Sequence, residues 1–596
     1  MRHLPVAALL LCLSACAPAP TRTAELAPQP AQARSAALQQ LFAEYWDEYL
    51  ALNPLIATFV GDARYNDRLP NTLSAEYRAR ELAFERRWLA RIEAVDVAAL
   101  PQQDRLSVEI FRRNREDEIA GKRFPAHWLP VNQFYAFTAT LAQLGSGASA
   151  QPFATAADYD NWLARAAQMP ALFDQAIANM RAGVEHGVVQ PRVLMERVLP
   201  QLDALIADDP RQSLFWKPVE NLPEALAGER ARIEVAYERA IREDILPAYV
   251  RLRDFIRDEY LPQCRDTHGL AALPDGEAWY AYRVRTTTTT DLTPARIHQI
   301  GLDEVARIQV EMRRVIGTLG FDGDLQAFFR FLDTDPRFQF ESEEALLAAY
   351  NALRERVEAG VPALFSVTPK AAFEIRPVEP FRAKSAAGGS YMRPSEDGSR
   401  PGIFYVNTYD LPSRKTWDME DLFLHEAIPG HHFQLAIQQE LEGIPAFRRF
   451  GGFTAFIEGW GLYAESLGKE LGVYEDPYMY FGYLQNELWR AIRLVVDTGL
   501  HSKGWTREQV IDYMLSNSAA SETQAVAEAE RYMAIPGQAL AYKIGELKIK
   551  ALRARAEAAL GERFDIRAFH AEVLRDGAVP LDILEDKIER FIAAAS

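Results

Sequence analysis

At 596 residues, 48% of them hydrophobic and 25% charged, the chain carries enough apolar surface for a large core, which excludes wholesale disorder, collagen-like repeats and small disulfide-held scaffolds. Its 66 basic and 83 acidic residues leave a net charge of −17, and no basic patch offsets it, which argues against nucleic acid as a partner. Of three cysteines, Cys12 and Cys16 lie at the start, so Cys264 stands alone in the body without a partner for a disulfide.

Residues Met1 to Cys16 read MRHLPVAALLLCLSAC, a basic start followed by an apolar run and small residues. This is the layout of a secretory signal, too short to span a membrane as a stable helix. Leu13-Ser14-Ala15-Cys16 resembles the bacterial lipobox, whose cysteine becomes the lipidated first residue of the mature protein. That resemblance implies a membrane anchor through Cys16, and Ala17 in place of an aspartate points to the outer membrane, facing the periplasm. Residues 17–35 are rich in Pro, Ala, Gln and Thr and read as a flexible tether.

From residue 36 to 596 the pattern is mainly α. LQQLFAEYWDEYLAL, YDNWLARAAQMPALFDQAIANM and IHQIGLDEVARIQVEMRRVIGTL place apolar residues at helical spacing among good helix formers. Thr293 before Pro294 predicts a helix start, and Gly320 a stop. The run Thr286 to Thr290 reads as a polar loop or strand. Between about 372 and 408, AFEIRPV, GGSYMRP and GIFYVNT predict short strands of a small sheet, followed by a helix from about Thr416. No long linker interrupts the body, although lobes of 36–292 and 293–596 are expected within it.

The chemistry concentrates in LFLHEAIPGHHFQ, which holds His425, His431 and His432 of the chain's ten histidines. In zinc hydrolases the pattern HExxH sets two imidazoles on one helical face around the metal, with the intervening Glu as base toward water. Here the histidines are spaced more widely: on an ideal helix residues six apart lie about 9 Å apart along the axis, too far for one ion. Pro429 and Gly430 predict a bulge that returns the second imidazole toward His425.

With those residues the sequence resembles the bacterial domain-of-unknown-function family 885, whose members are grouped with zinc metallopeptidases. HEAIPGHH, SRPGIFYVNT, FIEGWGLYAE, LWRAIRLVVDTGLH, RYMAIPGQALAYKIG and FHAEVLRDGAVPLDILE all look like blocks of that family, which spans nearly the whole mature chain. The resemblance implies kinship with helical peptidases such as thimet oligopeptidase: a large two-lobed helical body, a small sheet beside the active-site helix, and one Zn2+ per chain. It also implies His425, His431 and Glu458 as ligands, Glu426 as general base, and Glu465 orienting a ligand histidine; His432 remains an alternative ligand. Oxyanion donors are sought at Tyr542 first, then His501, and at Tyr532 with Arg531, which are also candidates for holding substrate. Asn407 is expected to hold substrate main chain if GIFYVNT is an edge strand.

Elsewhere the simpler reading is favoured. His127, His186, His268 and His298 read as surface or core histidines, Tyr280 and Tyr282 as packing, Cys264 as inert, while Arg490 and Arg493 divide evenly between ion pairing and carboxylate binding. The expectation is a lipid-anchored zinc peptidase of the cell envelope acting on small or unfolded peptides. A zinc amidase with a non-peptide substrate and a peptide-binding lipoprotein without turnover are the alternatives.

Overall fold

A computed structural model of the chain describes residues 30–595 apart from 135, 380–382, 384–386 and 395–399. The expected leader, with Cys12 and Cys16, lies outside the described residues. Residues 30–35, read as part of the tether, are helical instead, because helix α1 (Pro30–Leu52) already begins at Pro30. Proline is tolerated in a first helical turn, and the Ala, Gln and Arg that follow favour helix. Arg34 pairs with Asp96 at 2.6 Å and Gln39 donates to Asp104 at 3.1 Å, fastening this start to the body.

Helices α2 (Ala75–Glu93) and α3 (Gln102–Gly121) pack on one another beside α1. Tyr45 of α1 meets Trp88 and Phe111 edge to face, at 5.4 and 4.6 Å between ring centres, a favoured geometry for aromatic pairs. Two large hydrophobic clusters fill most of the interior, and a third, small one of Val378, Ala383, Ile403 and Tyr405 lies at the sheet. The smaller of the two large ones lies mainly between Val131 and Cys264 and surrounds α4 (Ala156–Ala166) and α5 (Met169–Glu185). The larger joins α1 to α3 with the helices that follow Leu270.

Helix α6 (Gly276–Thr288) corrects the reading of the threonine run. Instead of a loop or strand, Thr286 to Thr288 complete a helix, with Thr288 Oγ1 donating back to the Val284 carbonyl at 2.8 Å. Thr289 then turns left-handed (φ 53°), and its hydroxyl accepts the Leu581 N–H. Helix α7 (Pro294–Leu319) starts and stops as expected: Thr293 accepts the Arg296 N–H, and Gly320 takes φ 65°. A further long helix is α8 (Glu343–Leu364).

The strands β1 (Phe373–Pro377), β2 (Gly389–Met392) and β3 (Gly402–Val406) form a sheet of order β1-β3-β2. β1 runs parallel to β3 with Phe373 opposite Gly402, and β2 antiparallel with Tyr391 opposite Phe404. GIFYVNT is therefore the central strand and not an edge. Both its sides are paired, so it has no free ladder to offer a substrate.

The sheet leads into α9 (Met419–Glu426), α10 (His431–Glu440) and α11 (Thr454–Ser466), followed by α12 (Pro477–Ser502), α13 (Glu522–Ala534), α14 (Ala541–Leu560) and α15 (Leu581–Ala595). α7 packs along α12 and α11 against α14, and β2 touches α9. The protein is thus mainly α with one small three-stranded sheet next to the histidine motif. No described helix is long and apolar enough to cross a membrane.

Candidate metal centre

Helix α9 stops at Glu426, where Ala427 leaves helical angles (φ −100°, ψ −105°) and the Ile428–Pro429 bond is cis. α10 restarts at His431. The local structure is a complete break, more than the bulge expected from Pro429 and Gly430. Gly430 is required there, because a Cβ at this position would meet the His425 carbonyl oxygen at 1.9 Å. The break folds His431 back, so that its ring lies 4.6 Å from that of His425, centre to centre.

Four residues of FIEGWGLYAE on α11 complete the site. Glu458 Oε2 lies 3.5 Å from His425 Nε2 and 3.6 Å from His431 Nε2. Trp460 Nε1 donates to the Pro429 carbonyl at 2.8 Å and pins the turn between α9 and α10. Gly461 leaves room for the His425 ring, whose Cε1 would sit 2.6 Å from a Cβ there. Glu465 Oε1 accepts from His425 Nδ1 at 2.6 Å, which fixes the ring and turns Nε2 toward Glu458.

The three inward atoms of His425, His431 and Glu458 lie within 4.8 Å of one another. Ligands about 2.0–2.1 Å from a tetrahedral zinc ion are separated by about 3.3 Å, so the Glu458 distances need only a small contraction. Two imidazoles and one carboxylate also form a donor set that suits zinc and leaves a fourth position open. The residues therefore fit such an ion. His432 points elsewhere: its Nδ1 is 2.8 Å from Tyr391 Oη, and its ring packs on Phe373 at 4.8 Å. Burial lowers its pKa to about 4, against a hydrogen bond to the Ala371 main chain, so it is neutral at pH 7.

The electrostatics favour a cation. Burial disfavours a charged His425, but its hydrogen bonds to the Glu458 and Glu465 carboxylates outweigh this and hold its pKa well above the ordinary range. Burial likewise opposes charge on Glu458, and its bonds to His425 and His431 prevail, holding its pKa well below that of an ordinary carboxylate. Behind them the pKa of Asp421 is pushed well above the ordinary carboxylate range, first by burial and then by the charge of Glu465. Arg490 approaches Glu465 at 3.4 Å. Glu426, next to His425 at the end of α9, is partly exposed.

The other expected residues divide. Tyr542 is partly exposed, with the Arg493 guanidinium 4.8 Å from its ring centre, and its hydroxyl makes no hydrogen bond among the described residues. Arg531 and Tyr532 both bond Glu528, at 3.1 and 2.5 Å, and Tyr532 Oη also accepts from Arg493 at 3.0 Å. His501 is not brought to the site as an oxyanion donor. It is fully buried, its Nδ1 accepts the Leu270 N–H at 3.0 Å, and its Nε2 faces the Tyr532 carbonyl at 2.9 Å, so both nitrogens serve the fold. Asn407 is spent similarly, donating to the Ala383 carbonyl and accepting the Tyr409 N–H. Its expected hold on substrate is corrected along with the strand order. Asp421 and Tyr391 escaped the sequence reading because neither stands in the histidine motif or in the segment that supplies Glu458.

Two solved structures are similar to this chain over almost their whole length. One, described as a putative lipoprotein from Colwellia psychrerythraea, is 30% identical, with 94% of this chain and 99% of that chain covered and a TM-score of 0.86. The other, a putative lipoprotein of unknown function from Shewanella oneidensis, shares the fold at 20% identity, with 92% and 99% covered and a TM-score of 0.72. No curated protein matches. The sequence profile of DUF885, described as a bacterial protein of unknown function, matches residues 54–588, a span that contains α9, α10, α11 and the whole sheet. The chain belongs to the DUF885 family.

Proposed function

We propose that the protein is a zinc-dependent peptidase of the bacterial cell envelope that hydrolyses short or unfolded peptides. The observation that carries this reading is the convergence of His425, His431 and Glu458 within 4.8 Å, with Glu426 beside them in the chain. His425, His431 and Glu458 would hold the ion, which when bound supplies Lewis acidity toward water and a scissile carbonyl. Glu426 takes a proton from the attacking water and passes it to the leaving amine. Glu465 keeps His425 in the tautomer that offers Nε2, and Trp460 holds the turn that presents His431. Tyr542, with its hydroxyl uncommitted, donates to the developing oxyanion. The lipobox-like Leu13 to Cys16, together with the lipoprotein description of the 30% identical relative, supports anchoring through an acylated Cys16 in the outer membrane, facing the periplasm.

The test is elemental analysis and a mixed-peptide digest of the full chain in detergent. One zinc per chain is expected, with hydrolysis suppressed by chelation and restored by zinc. Glu426→Gln is expected to retain the zinc and lose about 10²- to 10⁴-fold in turnover. Full activity in that variant would overturn the base assignment, and failure to bind zinc in the wild type would overturn the whole reading.

A further inference from the structure

Beyond Glu465 the site continues into a group of arginines that the chemistry above does not use. Arg490 of α12 touches Glu465, the carboxylate that holds His425, and also donates to the Asn486 carbonyl. Arg493 lies three residues on, the next position along the same helical face. Its Nε donates to Tyr532 Oη at 3.0 Å and its Nη2 to Glu528 at 3.1 Å, while its guanidinium rests 4.8 Å from the centre of the Tyr542 ring. Arg531 of α13 reaches the same Glu528 at 3.1 Å and Gln538 at 3.1 Å. Glu528 thus stands between two guanidiniums as their one shared carboxylate.

The charges do not balance. Glu530, the next carboxylate along α13, is taken by Arg197 at 2.9 Å and Arg507 at 2.7 Å. Glu465 is committed to His425 and Arg490. Arg493 and Arg531 therefore hold two positive charges against one negative, in partly buried surroundings where Coulomb interactions are stronger than in water. Two guanidiniums offer roughly ten N–H donors, most of them beyond what Tyr532, Glu528 and Gln538 absorb, and the Arg531 Nε is buried with no hydrogen-bond partner among the described residues. Guanidinium is also the side-chain group best shaped to grip a carboxylate in a plane with two bonds.

We propose that Arg493 and Arg531 form a subsite for a carboxylate of the substrate, placed next to the metal centre through Arg490 and Glu465. This rests on the peptidase reading and narrows it to peptides that present a carboxylate near the scissile bond. The carboxylate is either the free C-terminus, which would make the enzyme an exopeptidase of the C-terminal end, or an Asp or Glu side chain. Tyr542, whose ring centre lies 4.8 Å from the Arg493 guanidinium, then borders the carboxylate grip.

The experiment compares three versions of each short peptide on the zinc-loaded full chain: free acid, C-terminal amide, and amide with an internal Glu. The free acid is expected to exceed the amide by about 10- to 100-fold in kcat/KM, the range of a charge-assisted grip. Rescue of the amide by an internal Glu would assign the subsite to side-chain carboxylates. Arg531→Met is expected to erase the difference with zinc content unchanged, which separates this subsite from carboxylate binding at the metal. In parallel, calorimetry measures N-acetyl-dialanine and its amide on wild-type protein, Arg531→Met and Arg493→Lys. Equal binding of acid and amide by the wild type with no gain from an internal Glu, or a carboxylate preference that survives Arg531→Met, would overturn the proposal. Acid-selective binding lost in Arg531→Met without any hydrolysis would support the subsite and overturn the peptidase reading; hydrolysis indifferent to the carboxylate would do the reverse.

Discussion

Helices α11, α12 and α14 border two buried ionic clusters that are solved in opposite ways. In one, Lys543 is wholly buried and its Nζ lies 3.1 Å from Glu304, 2.7 Å from Glu487 and 2.8 Å from Glu546. Arg307 bonds Glu487 at 2.5 Å and Lys550 bonds Glu546, so three cations meet three carboxylates. In the other, His425 stands among Glu426, Glu458 and Glu465, with Asp421 behind them, its pKa pushed well up by burial, and Arg490 as the nearby fixed cation. The first cluster carries its own counter-charges and ties α7, α12 and α14 together. The second has Arg490 as its nearby fixed cation beside several carboxylates, which leaves counter-charge for an arriving ion to supply. Burying carboxylates is costly in both cases, and where the protein leaves the compensation to something exchangeable, it marks a place for a ligand.

The comparison is most strongly tested by removing the central cation of the closed cluster. Lys543→Met leaves Glu304, Glu487 and Glu546 facing one another in the interior and is expected to cost about 3–5 kcal/mol, read as a lower denaturant midpoint. Zinc binding by whatever remains folded should be unchanged. On the open side, Glu465→Gln keeps the hydrogen bond to His425 in shape but weakens it, and is expected to reduce zinc affinity by about 10- to 100-fold in a competition titration. Its midpoint should move far less than that of Lys543→Met. An equally large loss of stability would mean that the open cluster is also a structural one. A smaller effect on zinc is expected from Gly461→Ala, whose Cβ would sit 2.6 Å from the His425 ring and displace it from Glu458.

Much of this architecture was legible in the residues. Thr293-Pro294 and Gly320 bound their helix because capping and left-handed stops are local chemistry, and the three strands follow from β-branched and aromatic runs between turns. His425, Glu426 and the break at Pro429-Gly430 come from the motif, while Glu458 and Glu465 needed the family resemblance to be picked from FIEGWGLYAE. What was not legible depends on pairing between distant segments. Strand order placed GIFYVNT in the centre and committed Asn407 to the chain itself, and no periodicity records strand order. His501 looked available until Leu270 and Tyr532 closed on both its nitrogens. Thr286 to Thr288 stay helical against their weak propensity because hydroxyls such as that of Thr288 bond back to the preceding turn.

The gentlest test separates the two clusters by acid alone. Burial raises the pKa of Glu487, but Lys543, Lys550 and Arg307 outweigh it and bring the value down to about 2. A carboxylate depressed in the folded state stabilises the fold above its unfolded value, about 4.5, and that stabilisation is lost as the pH falls toward about 2. The closed cluster should therefore hold at pH 5 and weaken only below it. Zinc at the open cluster competes with protons for His425, whose pKa Glu458 and Glu465 hold well above the ordinary range, so acidification displaces the ion already at mildly acidic pH. Acidification from pH 7 is expected to release zinc and silence hydrolysis first, with helical content intact at pH 5, and to unfold the protein only in the lower window. Following bound zinc by a chelating dye and helicity by circular dichroism on the same samples gives the two midpoints. Coincident midpoints would mean that the ion supports the whole fold; separate ones, with zinc lost first, locate the exchangeable charge at His425 and the permanent one at Lys543.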